Sequence, residues 1–277
     1  MKVLIAGCGD VGNELARMLM RDGHTVYGLK RDTSSLPDGV IPVPADLFDP
    51  QTLTGVPSGI DCLVFMPTPP SRDEDGYKAI FIRGLKNLWS ALSGEPGRTL
   101  LVSSTAVYGE SEGGVVTEET TPGPTRFNGR ILLEMEQLAA SLTGRLTVAR
   151  VSGIYGPGRE GLIRMAAGDK LAVQQSPPFF TNRIHRDDVA AALKHLLYLE
   201  EPQSLYLVSD DRPEARYNVV SWLAGMQNKS APVGLAIENA ERGKRVDNSR
   251  LRSSGFNLSY PDYLSGYSDL LKQRIDT

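Results

Sequence analysis

The tightest constraint on this 277-residue chain is a turn close to its start, Gly7-Cys8-Gly9-Asp10-Val11-Gly12. It matches G-x-G-x-x-G, follows the short apolar run KVLIAG, and opens a helical stretch with Leu15, Met18 and Leu19 on one face. Glycine pairs are common at strand-to-helix turns, so the motif draws its meaning from that place at the head of a βαβ unit. The first glycine permits the tight turn and the second lets backbone approach a pyrophosphate. The third allows helix and strand to pack closely, while the helix N-terminus supplies N–H groups and positive dipole. Gly7, Gly9, Asp10, Val11 and Gly12 are therefore expected to bind a dinucleotide; the alternative is a glycine-rich turn without a ligand.

The pattern after the turn fits that reading. HTVYGL, DCLVFM (Asp61–Met66), RTLLVSS (Arg98–Ser104) and LTVARVSG are further strand-like runs, with a helix expected over about 79–92. Continuous apolar strands separated by amphipathic helices indicate a parallel sheet covered on both faces. The stretch TRFNGRILLEMEQ (Thr125–Gln137) reads as one such helix, its stripe Ile131, Met135, Leu138 and Leu142 facing the sheet. After Gly156 the composition shifts to Pro, Gly and Gln; a helix over about 186–199 and the strand SLYLVSD follow. The fold class expected is α/β, a Rossmann-type doubly wound parallel sheet with a smaller C-terminal substrate lobe. The NAD(P)-binding core takes 1–155, with 186–209 returning to it; the lobe takes 156–185 and 210–277.

The end of the second strand bears on which dinucleotide is bound. NAD sites place Asp or Glu there to accept from the adenosine ribose, whereas this chain has Lys30-Arg31. Two cations pair with a 2′-phosphate that a carboxylate would repel, so NADP is favoured over NAD. Asp32 serves as an NAD-type acid if the strand runs further. Asp46, with Leu47 beside it, sits in a loop suited to the adenine amino group, or else Asp46 caps the next helix. Pro67 and Thr68 follow the fourth strand, where backbone passes the cofactor's ribose.

Composition removes other classes. A formal charge of −3 gives no reason to expect nucleic-acid binding. No apolar run approaches the roughly 20 residues of a membrane span, and the N-terminal run lacks the form of a signal peptide. Cys8 and Cys62 lie in or beside apolar strand runs and read as buried reduced thiols. His24, His185 and His195 form no metal-ligand spacing. A cytoplasmic, metal-free protein is expected.

Three further segments resemble one family in order and spacing: LLVSSTAVYGE (Leu100–Glu110), VARVSGIYGPGRE (Val148–Glu160) and NRIHRDDVAAAL (Asn182–Leu193). With the glycine motif they resemble the extended short-chain dehydrogenase/reductase superfamily, in the branch of NAD-dependent epimerase/dehydratases acting on nucleotide sugars. The glycine spacing departs from the usual extended form and is that of atypical members. The resemblance implies the cofactor across the sheet's C-terminal edge and a substrate cleft beside it. It also implies a catalytic Ser or Thr after the fifth strand, and a Tyr and Lys spaced Y-x-x-x-K on the next helix. Tyr would exchange the proton as hydride moves, Lys would lower its pKa from about 10, and Ser would polarise the substrate oxygen.

Mapped onto this chain, Ser104 takes the Ser position, with a turn-capping hydroxyl as the alternative. Asn128 falls at the Tyr position and Leu132 at the Lys position. No Tyr lies between Tyr108 and Tyr155, and no Lys from 97 to 169, so the motif is absent. Replacement groups are Tyr155, Tyr108 and Arg130, each with a plain packing or surface alternative. The resemblance places NRIHRDDVA at the hinge between sheet and lobe, with Arg183 and His185 as substrate contacts and Asp187 and Asp188 as first-turn acids. Two functions follow: an oxidoreductase or epimerase acting on a nucleotide sugar or similar small molecule with a non-standard catalytic site, or a catalytically inactive dinucleotide-binding sensor or scaffold. The expected partner is a small-molecule substrate, with no nucleic acid and no membrane. Oligomeric state stays open, a homodimer through a four-helix interface being frequent in the superfamily.

Overall fold

Runs of apolar residues without alternation become the central strands, since a strand covered on both faces has no solvent side. Strands β1 (Lys2–Ala6) and β4 (Cys62–Phe65) are buried along nearly their whole length. The computed structural model describes residues 1–168 and 171–275 and divides into two compact units. The first comprises 1–107, 122–150 and 190–206; the second comprises 108–121, 151–189 and 207–277.

The sheet adds β2 (Thr25–Lys30), β3 (Ile41–Pro44), β5 (Arg98–Ser104), β6 (Leu146–Val151) and β7 (Leu205–Val208), in the order β7-β6-β5-β4-β1-β2-β3. The pairings β4–β5, β1–β4, β1–β2 and β2–β3 are all parallel, with Ile5 opposite both Gly28 and Val64. This is the doubly wound order, and the chain reverses direction of travel across the sheet between β1 and β4. Helix α1 (Asp10–Arg21) follows the glycine turn and buries Val11, Leu15, Ala16 and Leu19. Cys8 and Cys62 are free and buried, as their apolar surroundings suggested.

The helix expected over 79–92 starts earlier. It runs as α2 (Glu74–Lys78), a π-helical turn Ala79–Gly84, and α3 (Leu85–Ala91). Asp73 caps its start by accepting from Gly76 N at 2.8 Å, and that polar opening carries no apolar periodicity to reveal it. Helix α4 (Phe127–Leu142) is present, but its buried face is rotated from the expected stripe. Ile131 and Met135 are buried with Gly129, Leu132, Glu136 and Ala139, while Leu138 and Leu142 are only half-buried. The cause is contact at Gly129, where a Cβ would stand 2.3 Å from Ala106 O.

In the second unit, Glu214–Ala215, Phe180–Thr181, Gly243–Val246 and Glu112–Val116 form a four-stranded sheet in that order. Arg183–His185 pairs with Gly153–Tyr155, and Val233–Ala236 with Ala172–Ser176, both in parallel. The core gathers Tyr155, Ile163, Val219, Leu223, Tyr263, Tyr267 and Leu270. Residues 108–121, assigned from sequence to the Rossmann core, group with this unit because Glu112–Val116 pairs with Gly243–Val246. Among the described residues no helix is long and apolar enough to cross a membrane.

Candidate functional site

The three motif glycines meet three different surroundings. Gly7 has φ +91°, and a Cβ there would lie 2.4 Å from Pro67 Cα and 2.7 Å from Met66 C. Only glycine fits where the turn after β1 crosses the turn after β4. Backbone bonds hold the loop: Gly7 N donates to Leu29 O at 2.9 Å and Gly9 N to Gly7 O at 2.7 Å. At Gly12 a Cβ would meet Ile5 Cγ2 at 3.3 Å and Gly7 O at 3.4 Å, so helix and strand pack closely here. At Gly9 the nearest contact would be Gly7 O at 3.9 Å, which leaves that face of the backbone open. No side chain caps α1. Its first-turn N–H groups thus suit an anionic ligand.

Beside this loop is a cavity of about 280 Å³. Gly7 and Gly9 form one wall, 29–32 at the end of β2 another, and 45–48 after β3 a third, with Pro67, Thr68, Pro70 and Ile80 closing it. Of the residues expected to hold a dinucleotide, Gly7, Gly9, Lys30, Arg31, Asp46, Leu47 and Pro67 line this one cavity. Asp10, Val11 and Gly12 belong to the helix behind it. Sequence reading did not find Ala45, Phe48, Pro70 or Ile80, because apolar lining carries no motif.

The charged rim is ordered by local bonds. Strand β2 ends at Lys30, whose Nζ donates to Ser35 Oγ at 2.7 Å. Asp32 lies beyond the strand and accepts from Ser34 N at 2.9 Å; hydrogen bonding to Ser34 holds its carboxyl below the usual range. Asp46 Oδ1 accepts from Phe48 N at 3.0 Å, while the following helix is capped by Asp49, which accepts from Gln51 N. Asp46 therefore shapes its own turn rather than capping that helix. These residues fit a dinucleotide: a backbone cradle that a Cβ would fill, an uncapped helix start, and two cations at the end of β2.

Further along the first unit, Ser104 Oγ accepts from Ala106 N at 3.2 Å, the turn-capping arrangement. Asn128 is half-buried at the start of α4 and its carboxamide has no hydrogen-bond partner among the described residues. Leu132 is buried and α4 contains neither Tyr nor Lys. Arg130 Nη1 donates to Thr125 O at 2.8 Å, tying the cation to its own loop. Tyr77 stacks edge-on against Phe127 at 5.5 Å, next to Asn128 in sequence.

The second unit holds Tyr155, Arg183 and His185. Tyr155 is buried, 4.3 Å between ring centres from Tyr267, with its hydroxyl only 3.5 Å from Asp262 O. Burial pushes its phenol far above the ordinary range. Space for that hydroxyl comes from Gly266, whose Cβ would stand 1.9 Å from it. His185 is buried edge-on to Tyr155 and packs against Tyr260, the ring centres 4.1 Å apart and the planes tilted by 45°; Nδ1 accepts from Asp187 N at 3.2 Å. Burial lowers its pKa against the pull of Asp187 and Asp188. Asp188, read as a first-turn acid, is fully buried and accepts from Ser259 N and Tyr260 N at 2.8 and 2.9 Å. Tyr108 donates to Thr117 O at 3.0 Å. Arg183 and Tyr155 line one pocket. No group of three His, Cys, Asp or Glu among the described residues is placed to hold a metal.

Comparison with known proteins agrees with this architecture. A protein of Methylobacillus flagellatus, described as a candidate NAD-dependent epimerase/dehydratase, is 39% identical and superposes with a TM-score of 0.85, covering 99% of this chain and 98% of that one. Protein YeeZ of Escherichia coli K12 is 29% identical over 95% of this chain and 97% of its own. UDP-glucuronic acid 4-epimerase from Bacillus cereus, solved in complex with NAD, shares the fold at TM-score 0.77 and 18% identity, covering 100% of this chain and 98% of that one. The model of the NAD dependent epimerase/dehydratase family matches residues 3–204, and the chain belongs to that family.

Proposed function

We propose that the chain binds NADP in preference to NAD, and works as an oxidoreductase or epimerase on a nucleotide sugar or similar small molecule with a non-standard catalytic site. The observation that carries the cofactor reading is the Gly7–Pro67 crossing, which opens the Gly9 backbone toward a cavity rimmed by Lys30 and Arg31. Backbone at Gly7 and Gly9 and the start of α1 would hold the pyrophosphate. Lys30 and Arg31 would pair with the 2′-phosphate, and Asp46, Leu47 and Pro67 would bound the adenosine. When bound, the nicotinamide supplies hydride transfer.

Ser104 stands in the Ser position and Asn128 in the Tyr position of the proposed site. Asn128 offers a hydrogen bond to substrate or cofactor without moving a proton, and general acid–base catalysis is worth about 10²–10⁴-fold. The buried hydroxyl of Tyr155 supports a packing role over a catalytic one. Leu132, buried where a Lys would act, favours a second reading, a dinucleotide-binding sensor without turnover.

Fluorescence titration with NADPH and NADH tests the proposal. Tighter binding of NADPH is expected, and no binding of either near millimolar concentration overturns it. A screen of nucleotide sugars for absorbance change at the nicotinamide band then separates enzyme from sensor.

A further inference from the structure

The second unit leaves one strand bare along its edge. Val233–Ala236 pairs in parallel with Ala172–Ser176 and with no other strand among the described residues. Val233 N donates to Leu171 O at 2.7 Å and Ile237 N to Ser176 O at 2.9 Å. Successive strand residues turn their backbone groups to opposite sides. The N–H and C=O of Gly234 and Ala236 therefore point away from that neighbour, and both residues are exposed.

The side chains are as bare as the edge. Val233, Leu235 and Ile237 share one face and are 60%, 38% and 41% exposed. The opposite face carries only Gly234 and Ala236, and a Cβ on Gly234 would run into Gln175 Oε1. Soluble proteins blunt such edges with charge, proline or a covering segment. Here Pro232 and Glu238 stand just outside, and the five residues between them are all apolar or glycine.

What fits this edge is the same edge on a second copy. An antiparallel ladder needs outward-facing residues opposite one another. A two-fold axis at Leu235 sets Gly234 against Ala236 of the second copy, which satisfies every outward N–H and C=O of both. On the apolar face Leu235 then meets Leu235, and Val233 meets Ile237, as cross-strand apolar pairs. Moving the axis to Gly234 brings Pro232, which has no N–H, into the ladder, and moving it to Ala236 brings in Glu238. Parallel alignment sets Glu238 beside Glu238 and Lys229 beside Lys229, like charge on like. The antiparallel arrangement turns the Lys229 end of one copy toward the Glu238 end of the other.

We propose that Val233–Ile237 is the interface of a symmetric dimer, in which two copies pair these strands antiparallel about Leu235. This surface belongs to the second unit, whereas the four-helix interface frequent in the superfamily would use α4 of the first. The pairing needs neither cofactor nor substrate.

Sedimentation of the full-length protein from about 1 to 100 µM is expected to show self-association, in the range of a modest interface. Leu235→Lys is expected to weaken it by roughly tenfold or more, since it replaces an apolar pair with two facing cations. At an exposed position it should leave Tm unchanged. Oxidation reads the register. In Leu235→Cys the two thiols sit on Cα atoms about 4.5 Å apart, within the range of a disulfide, and a covalent dimer is expected. In Val233→Cys the Cα atoms are roughly 14 Å apart, and none is expected. Cys8 and Cys62 are buried and do not compete. The proposal is overturned if Leu235→Lys sediments as the wild type does at every concentration. It is also overturned if oxidised Leu235→Cys stays uncrosslinked, or if Val233→Cys crosslinks as readily. Should Leu235→Lys not fold, the two cysteine variants decide alone.

Discussion

Glu136 receives Arg150 on both carboxylate oxygens, Nη2 at 2.6 Å and Nε at 3.1 and 3.2 Å, with both side chains buried. Ser103 Oγ donates to the same carboxylate at 2.5 Å, so α4, β5 and β6 are tied at one point inside the first unit. Removing one partner leaves a buried charge unpaired, at a cost of about 3–5 kcal/mol. Urea denaturation of Glu136→Ala should show that loss, and a change below about 1 kcal/mol would sink the assignment. Because the pair is buried, added salt should barely alter the difference.

The glycine loop separates a folding role from a binding role. Gly7→Ala places a Cβ 2.4 Å from Pro67 Cα at φ +91° and should destabilise the protein whether or not a ligand is present. Gly9→Ala meets nothing closer than 3.9 Å and should melt as the wild type does while losing dinucleotide affinity. A Gly9→Ala protein that still bound the dinucleotide normally would mean that the pyrophosphate does not pass over that backbone.

Selectivity rests on the end of β2. Lys30→Asp and Arg31→Ala should each weaken NADPH by roughly tenfold or more, the worth of a charge-assisted hydrogen bond. NADH should change little. Equal weakening of both cofactors would remove the 2′-phosphate from Lys30 and Arg31, and parallel titrations decide between the two results.

Asp210 gives the second unit a pH signature. Its carboxyl titrates near 4 when unfolded and near 8 when folded. Between those values the folded state binds the extra proton, so stability from this group falls as pH rises through the window and levels off above pH 8. Urea midpoints of wild type and Asp210→Asn, compared at pH 5 and pH 8, should move against the wild type at the higher pH. A constant difference between the two proteins would show that Asp210 ionises normally.

Tyr155 is expected to matter through its ring. Tyr155→Phe removes one weak 3.5 Å hydrogen bond and should cost no more than about 1 kcal/mol. Tyr155→Ala should cost about 3–5 kcal/mol, as for other buried aromatics. If turnover is found, its survival in Tyr155→Phe would place proton transfer elsewhere, and its complete loss there would return the hydroxyl to the site.

The sequence by itself determined the sheet and the turn that crosses it. Uninterrupted apolar runs can be satisfied only by strands covered on both sides, and G-x-G-x-x-G between strand and helix leaves few conformations to its backbone. Lys30, Arg31, Asp46, Leu47 and Pro67 could be placed around one cavity from sequence because each lies at or just after the end of a strand, where a doubly wound sheet opens its crevice. Tertiary structure alone decided the rest. The rotation of α4 is set by contact between Gly129 and Ala106 O, not by periodicity, so Glu136 turned inward although its charge reads as solvent-facing. The short strand Glu112–Val116 found its partner more than a hundred residues further along the chain, at Gly243–Val246. Arg183 and Asp210 lie twenty-seven positions apart, and their burial without mutual pairing depends on what surrounds them in space. Local pattern fixes elements because backbone hydrogen bonding and burial repeat along the chain, whereas the environment of one side chain depends on residues distant in sequence.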